Sequence, residues 1–131
     1  MIPDWAWVLI LILPAGWLRL VGHELSHAVA CVVTGGTVDW ARLRLWPGRI
    51  DGRWYWGWCY RDGGDDLWIG IAPAGKATAL TVCWLVPAAL WWDPLYVLAA
   101  WELTDVAWWW VGWLRRPESD GGRVRELLAR R

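Results

Sequence analysis

The chain has 131 residues, enough for one domain, and 57% of it is hydrophobic, with 17 Trp and no Phe. That is more apolar than an ordinary soluble domain. Thirteen basic and thirteen acidic side chains cancel to a formal net charge of zero, which leaves no basic excess for nucleic acid and no charged or polar tract that would stay disordered.

In chain order, residues 5–18 are uncharged, and the apolar run continues through Arg19, His23, Glu24 and His27 to about residue 34. It is long enough to span a bilayer, which takes about 20 residues. No basic segment precedes it and it runs on into a polar motif, so it is expected to be kept as a helix and not removed as a signal peptide. Gly35-Gly36 breaks the helix. Residues 37–46 partly alternate, Pro47-Gly48 marks a turn, and Arg53–Tyr60 has the aromatic bias of a second strand, so a β-hairpin is expected over 37–60 at the cytoplasmic membrane surface. After a loop at Asp62–Asp66, residues 67–92 hold only Lys76 and residues 95–114 only Glu102 and Asp105. Asp93-Pro94 joins these two stretches as a helical hairpin. The tail from 117 to 131 is polar, with a short helix expected at 122–130. Cys31, Cys59 and Cys83 lack CxxC spacing, which argues against a disulfide framework and a cysteine zinc site.

Outside the apolar stretches the arginines fall in two blocks, five in residues 35–66 and six in 115–131, and none lies before Trp5 or in the turn at 92–94. The positive-inside rule then puts the N-terminus outside and the hairpin and C-terminus in the cytoplasm. The expected fold is a mainly α membrane protein with three transmembrane helices and a small cytoplasmic β-hairpin between the first and second. Residues 1–116 form one membrane-embedded domain and 117–131 a cytoplasmic tail, in the cell membrane.

His23-Glu24-Leu25-Ser26-His27 is an HExxH motif built from both histidines of the chain. On a helix, positions i and i+4 share a face, so both imidazoles can reach one zinc ion. Glu24 lies on the flank, where it can take a proton from water at the metal's open position. Ionisable groups inside a span are costly and mark function. A catalytic zinc needs a third protein ligand. With histidine exhausted, the acids of the other spans are the candidates: Asp105 first, Glu102 second, with Glu102 otherwise paired with Arg19 or Lys76. Depth is a difficulty. His23 and His27 lie about 27–33 Å along the first helix, and Asp105 only about 15 Å from the outer end of its own, at 1.5 Å per residue. A break at Pro14 or a long tilted helix is expected to bring them together.

HExxH followed by Thr34-Gly35-Gly36-Thr37-Val38, then Gly70-Ile71-Ala72-Pro73-Ala74-Gly75, then Leu103-Thr104-Asp105, resembles the site-2 protease family of intramembrane zinc metallopeptidases, in its short minimal branch. The resemblance spans residues 16–112, and HExxH is its specific part. Lys76 stands where the family often has Asn, and Val106 follows Asp105 where the family usually has Gly. The resemblance implies a zinc endopeptidase that cuts a transmembrane protein or peptide within the lipid bilayer. His23, His27 and Asp105 would be the ligands, Glu24 the general base, and Lys76 a contact to substrate or oxyanion. The other function expected from these residues is a membrane-embedded metal-binding or helix-binding protein without proteolytic activity.

Overall fold

The computed structural model describes residues 3–130. The described chain is mainly helical, with α1 (Asp4–Val33), α2 (Asp66–Leu90), α3 (Tyr96–Arg115) and α4 (Asp120–Ala129). Between α1 and α2 lie four short strands, β1 (Thr37–Val38), β2 (Gly48–Ile50), β3 (Arg53–Tyr55) and β4 (Arg61–Asp62). Two helices, α1 and α2, are long and apolar enough to cross a membrane. They are not the hidden core helices of a soluble protein, since only 6% of the apolar window of α1 and 28% of that of α2 is buried. Leu9, Leu13, Val29 and Val33 on α1 and Val82, Val86 and Leu90 on α2 are exposed instead, and an apolar surface of that extent needs a partner such as lipid.

α1 stays helical through Pro14 over 30 residues, about 45 Å. Glycine ends it. Gly35 takes a positive φ of 87°, the Gly35 N–H donates to the Val32 carbonyl and the Gly36 N–H donates to the Cys31 carbonyl. This pair of bonds is the Schellman stop, whose left-handed residue is cheapest as glycine. Gly36 is needed for a second reason: a Cβ there would strike the Cys31 sulfur and the Gly64 backbone. The loop thus closes directly on the helix end, where the Asp65 N–H donates to Thr34 Oγ1 at 2.8 Å and the Asp65 carboxylate caps α2 through the Leu67 N–H at 2.9 Å. The end of α1 is thereby tied to the start of α2.

The excursion between them is a long, irregular hairpin. β1 pairs antiparallel with β4, β2 with β3, and Arg44 bridges Trp58 between the two ladders. Its reversal is at Asp51-Gly52, with φ of 50° and 79°, and not at Pro47-Gly48, which leads into β2. Two consecutive positive-φ residues make the type I′ reversal whose twist suits a two-residue hairpin, and Asp-Gly is a favoured pair for it.

α3 runs back beside α2 after a 3-10 turn at Asp93–Leu95. The tail is not a free segment: α4 packs on α2 and α3. Small residues make that contact. A Cβ on Gly70 of α2 would strike Val124, one on Gly112 of α3 would strike Ser119, and one on Gly121 of α4 would strike the Trp109 carbonyl. Val124 and Gly121 are buried in consequence.

Candidate metal centre

α1 places Arg19, His23 and His27 at four-residue intervals, one above another on a single face. The His27 ring is fixed by α2: its Nδ1 lies 2.8 Å from the Ile69 carbonyl. That carbonyl is free because Pro73, four residues on, has no N–H to donate to it. The His23 ring has its Nδ1 3.4 Å from Asp105 Oδ2 on α3. Both rings therefore turn their Nε2 atoms away from these partners, and toward α4. There the Asp120 Oδ2 lies 3.4 Å from His23 Nε2 and 3.2 Å from His27 Nε2. Asp120 is the first residue of α4, behind the Ser119 cap whose hydroxyl accepts the Gly122 N–H at 3.2 Å. Burial alone would push the Asp120 carboxyl up, but the His23 and His27 rings beside it, when charged, outweigh burial and hold the carboxyl below the usual carboxylate range.

Among the described residues, His23, His27 and Asp120 are the group whose ligand atoms converge, all within 4.8 Å of one another. A tetrahedral zinc with bonds of 2.0–2.1 Å holds its ligand atoms about 3.3–3.4 Å apart. The two Nε2–Oδ2 separations already match that edge. Two neutral imidazole nitrogens and a carboxylate are also a donor set zinc accepts in catalytic sites, with one position left open.

The acids foreseen from the spans lie elsewhere. Asp105 is buried between helices and near His23, but at the Nδ1 edge of the ring. Its Oδ1 accepts from Arg19 Nε at 2.7 Å, and Lys76 Nζ is 3.5 Å from its Oδ2. Glu102 is paired with Lys76 at 2.8 Å, one of the two partners foreseen for it. Lys76 is thereby committed to two carboxylates, packed across Gly22 where a Cβ would lie 3.4 Å from its Nζ. The carboxylate that faces both Nε2 atoms, Asp120, belongs to the stretch read from sequence as tail. Its signal was the depth arithmetic: His23 and His27 are near the C-terminal end of α1, which an acid just beyond the end of α3 reaches more easily than one in its middle.

Glu24 is 7% exposed and is covered by the hairpin. Gly57 passes so close that a Cβ there would lie 2.6 Å from Glu24 Cγ and 2.7 Å from Oε1. Among the described residues no side chain pairs with the Glu24 carboxylate. Burial, and then the Glu24 charge, push the thiol of nearby Cys59 up.

Compared with known proteins, the chain matches no family model, no curated protein and no solved structure. The site's chemistry therefore rests on its own geometry.

Proposed function

We propose that the chain is a membrane-embedded metallopeptidase in which His23, His27 and Asp120 hold a zinc ion and Glu24 is the general base. The observation that carries this reading is the convergence of both Nε2 atoms on one Asp120 oxygen, with both Nδ1 atoms already engaged. A zinc ion held by these three residues would supply an acidified water and a polarised substrate carbonyl. Glu24 accepts the proton of the attacking water and returns it to the leaving amine, a role that suits an unpaired carboxylate beside the ligands. The resemblance to the site-2 proteases points the same way, with Asp120 taking the ligand role that Asp105 has in the family pattern.

In this reading α3 is a third span, consistent with exposed Leu103, Trp108, Trp110, Val111 and Leu114. The N-terminus is outside, and the hairpin and α4 are cytoplasmic. The substrate is a transmembrane helix unwound near the cytoplasmic face, its extended segment lying along the hairpin by strand addition. Beside Gly57 a cavity of about 210 Å³, lined among others by Leu43, Leu45, Tyr55 and Trp58, would take an apolar side chain next to the cut bond.

The test is zinc content and cleavage of a panel of transmembrane segments by wild type, Glu24→Gln and His23→Ala in detergent. Glu24→Gln should keep zinc and lose about 10²–10⁴ in rate. His23→Ala should lose both. A second reading, metal binding without proteolysis, draws support from Lys76, which is tied to Glu102 and Asp105 and offers no free oxyanion donor. Wild type that holds zinc and cleaves nothing would decide for it.

A further inference from the structure

Four charged side chains from three helices meet beside His23: Arg19 from α1, Lys76 from α2, and Glu102 and Asp105 from α3. Two cations and two anions balance, so the group costs far less in an apolar setting than its members would apart. Balance does not explain the arrangement, because Glu102 needs only Lys76. Asp105 gathers three partners: Oδ1 accepts from Arg19, and Oδ2 faces both Lys76 Nζ and His23 Nδ1, at 3.5 and 3.4 Å. Arg19 is itself held, stacked over the Trp101 ring at 5.8 Å. The carboxylate thus cannot swing round to the Nε2 edge of His23 without breaking its bond to Arg19.

We infer that Asp105 is a positioning residue for His23: clamped by Arg19 and Lys76, it accepts the Nδ1 proton, so the Nε2 lone pair is presented to the metal. This rests on the metal reading above. It makes the two histidines equivalent in design, each with its Nδ1 engaged by another helix, His27 by the Ile69 carbonyl of α2 and His23 by Asp105 of α3. A carboxylate behind a metal-bound imidazole fixes its tautomer and raises its basicity, and its loss costs about 10–100-fold in metal affinity.

The full-length chain in detergent carries the test, with Asp105→Asn, Asp105→Ala and Asp120→Asn beside wild type. Chelator competition gives zinc affinity, and the visible spectrum of bound Co²⁺ reports the ligand set. Asp105→Asn should weaken zinc about 10-fold and Asp105→Ala up to about 100-fold, both with the wild-type Co²⁺ spectrum. Asp120→Asn should change that spectrum. If Asp105→Asn changes the spectrum and Asp120→Asn does not, Asp105 is a ligand and the inference is wrong. ¹⁵N NMR of the two histidine rings in metal-free Asp120→Ala, which lacks the carboxylate 3.4 Å from His23 Nε2, needs no metal and is read at a pH where both rings are neutral. His23 should carry its proton on Nδ1; an Nε2–H tautomer overturns the inference. Wild type that binds no metal would sink the metal reading, and the tautomer would still decide this one.

Discussion

Pro73 should be worth more to the metal than to the helix that contains it. It is fully buried in α2, and it leaves the Ile69 carbonyl without its i+4 donor, so that His27 Nδ1 occupies it at 2.8 Å. Pro73→Ala restores an N–H aimed at that same oxygen. Complete loss of a partner behind a metal-binding imidazole costs about 10–100-fold in affinity. A carbonyl has two lone pairs and can serve two donors, so the expected loss is the lower figure, about 10-fold, or about 1.4 kcal/mol. Stability should move the other way or not at all. Removing proline from a helix interior relieves up to about 3 kcal/mol, set against about 1–2 kcal/mol for the buried ring carbons lost. The assay is zinc affinity by chelator competition together with thermal unfolding of the metal-free protein. Pro87→Ala on the same helix is the control, since the carbonyl it frees belongs to exposed Cys83 and touches neither histidine. Equal zinc affinity in wild type and Pro73→Ala would refute the link between proline and ligand. So would an equal loss in Pro87→Ala.

Gly57→Ala should keep zinc and lose about 100-fold in cleavage rate, because the new methyl would lie within 3 Å of the Glu24 side chain and an ångström of displacement at a reacting group costs about that much; unchanged kinetics would show that the hairpin does not set Glu24. Gly121→Leu should undock α4 by collision with the Trp109 carbonyl and Trp113 backbone, releasing zinc while α1 to α3 stay helical, as read by metal content and circular dichroism; retained zinc would argue against Asp120. Enlarging Leu43 to Trp in the cavity beside Gly57 should shift cleavage toward substrates with a smaller apolar residue next to the cut bond, which a panel varied at that position measures.

The long apolar stretches, the Gly-Gly stop after α1, the tight turn at Asp93-Pro94 and the excursion between α1 and α2 were legible because each is a local property of a few neighbouring residues. The hairpin's reversal was misread: Pro47-Gly48 looked like the turn, while Asp51-Gly52, two left-handed residues in a row between the paired strands β2 and β3, makes it. Asp120 was hidden for a different reason. Scarcity of acids within the spans favoured Asp105 and Glu102, but scarcity says nothing about which charges pair, and Arg19 and Lys76 claim both. The docking of α4 depends on Gly70 admitting Val124, Gly112 admitting Ser119 and Gly121 admitting the Trp109 carbonyl, a coincidence of three separate helices that no local pattern displays. Two of the Trp residues have defined polar roles that the sequence does not display: Trp109 Nε1 donates to the Gly70 carbonyl at 2.9 Å and Trp101 carries Arg19.

The central claim is that zinc sits on His23, His27 and Asp120, and X-ray absorption at the zinc edge of the purified, zinc-loaded full chain tests it most directly. The account predicts about one zinc per chain with only nitrogen and oxygen neighbours near 2.0–2.1 Å, two of them imidazoles, and loss of that signature in Asp120→Ala. Sulfur neighbours near 2.3 Å, or the same spectrum with and without the Asp120 carboxylate, would contradict it.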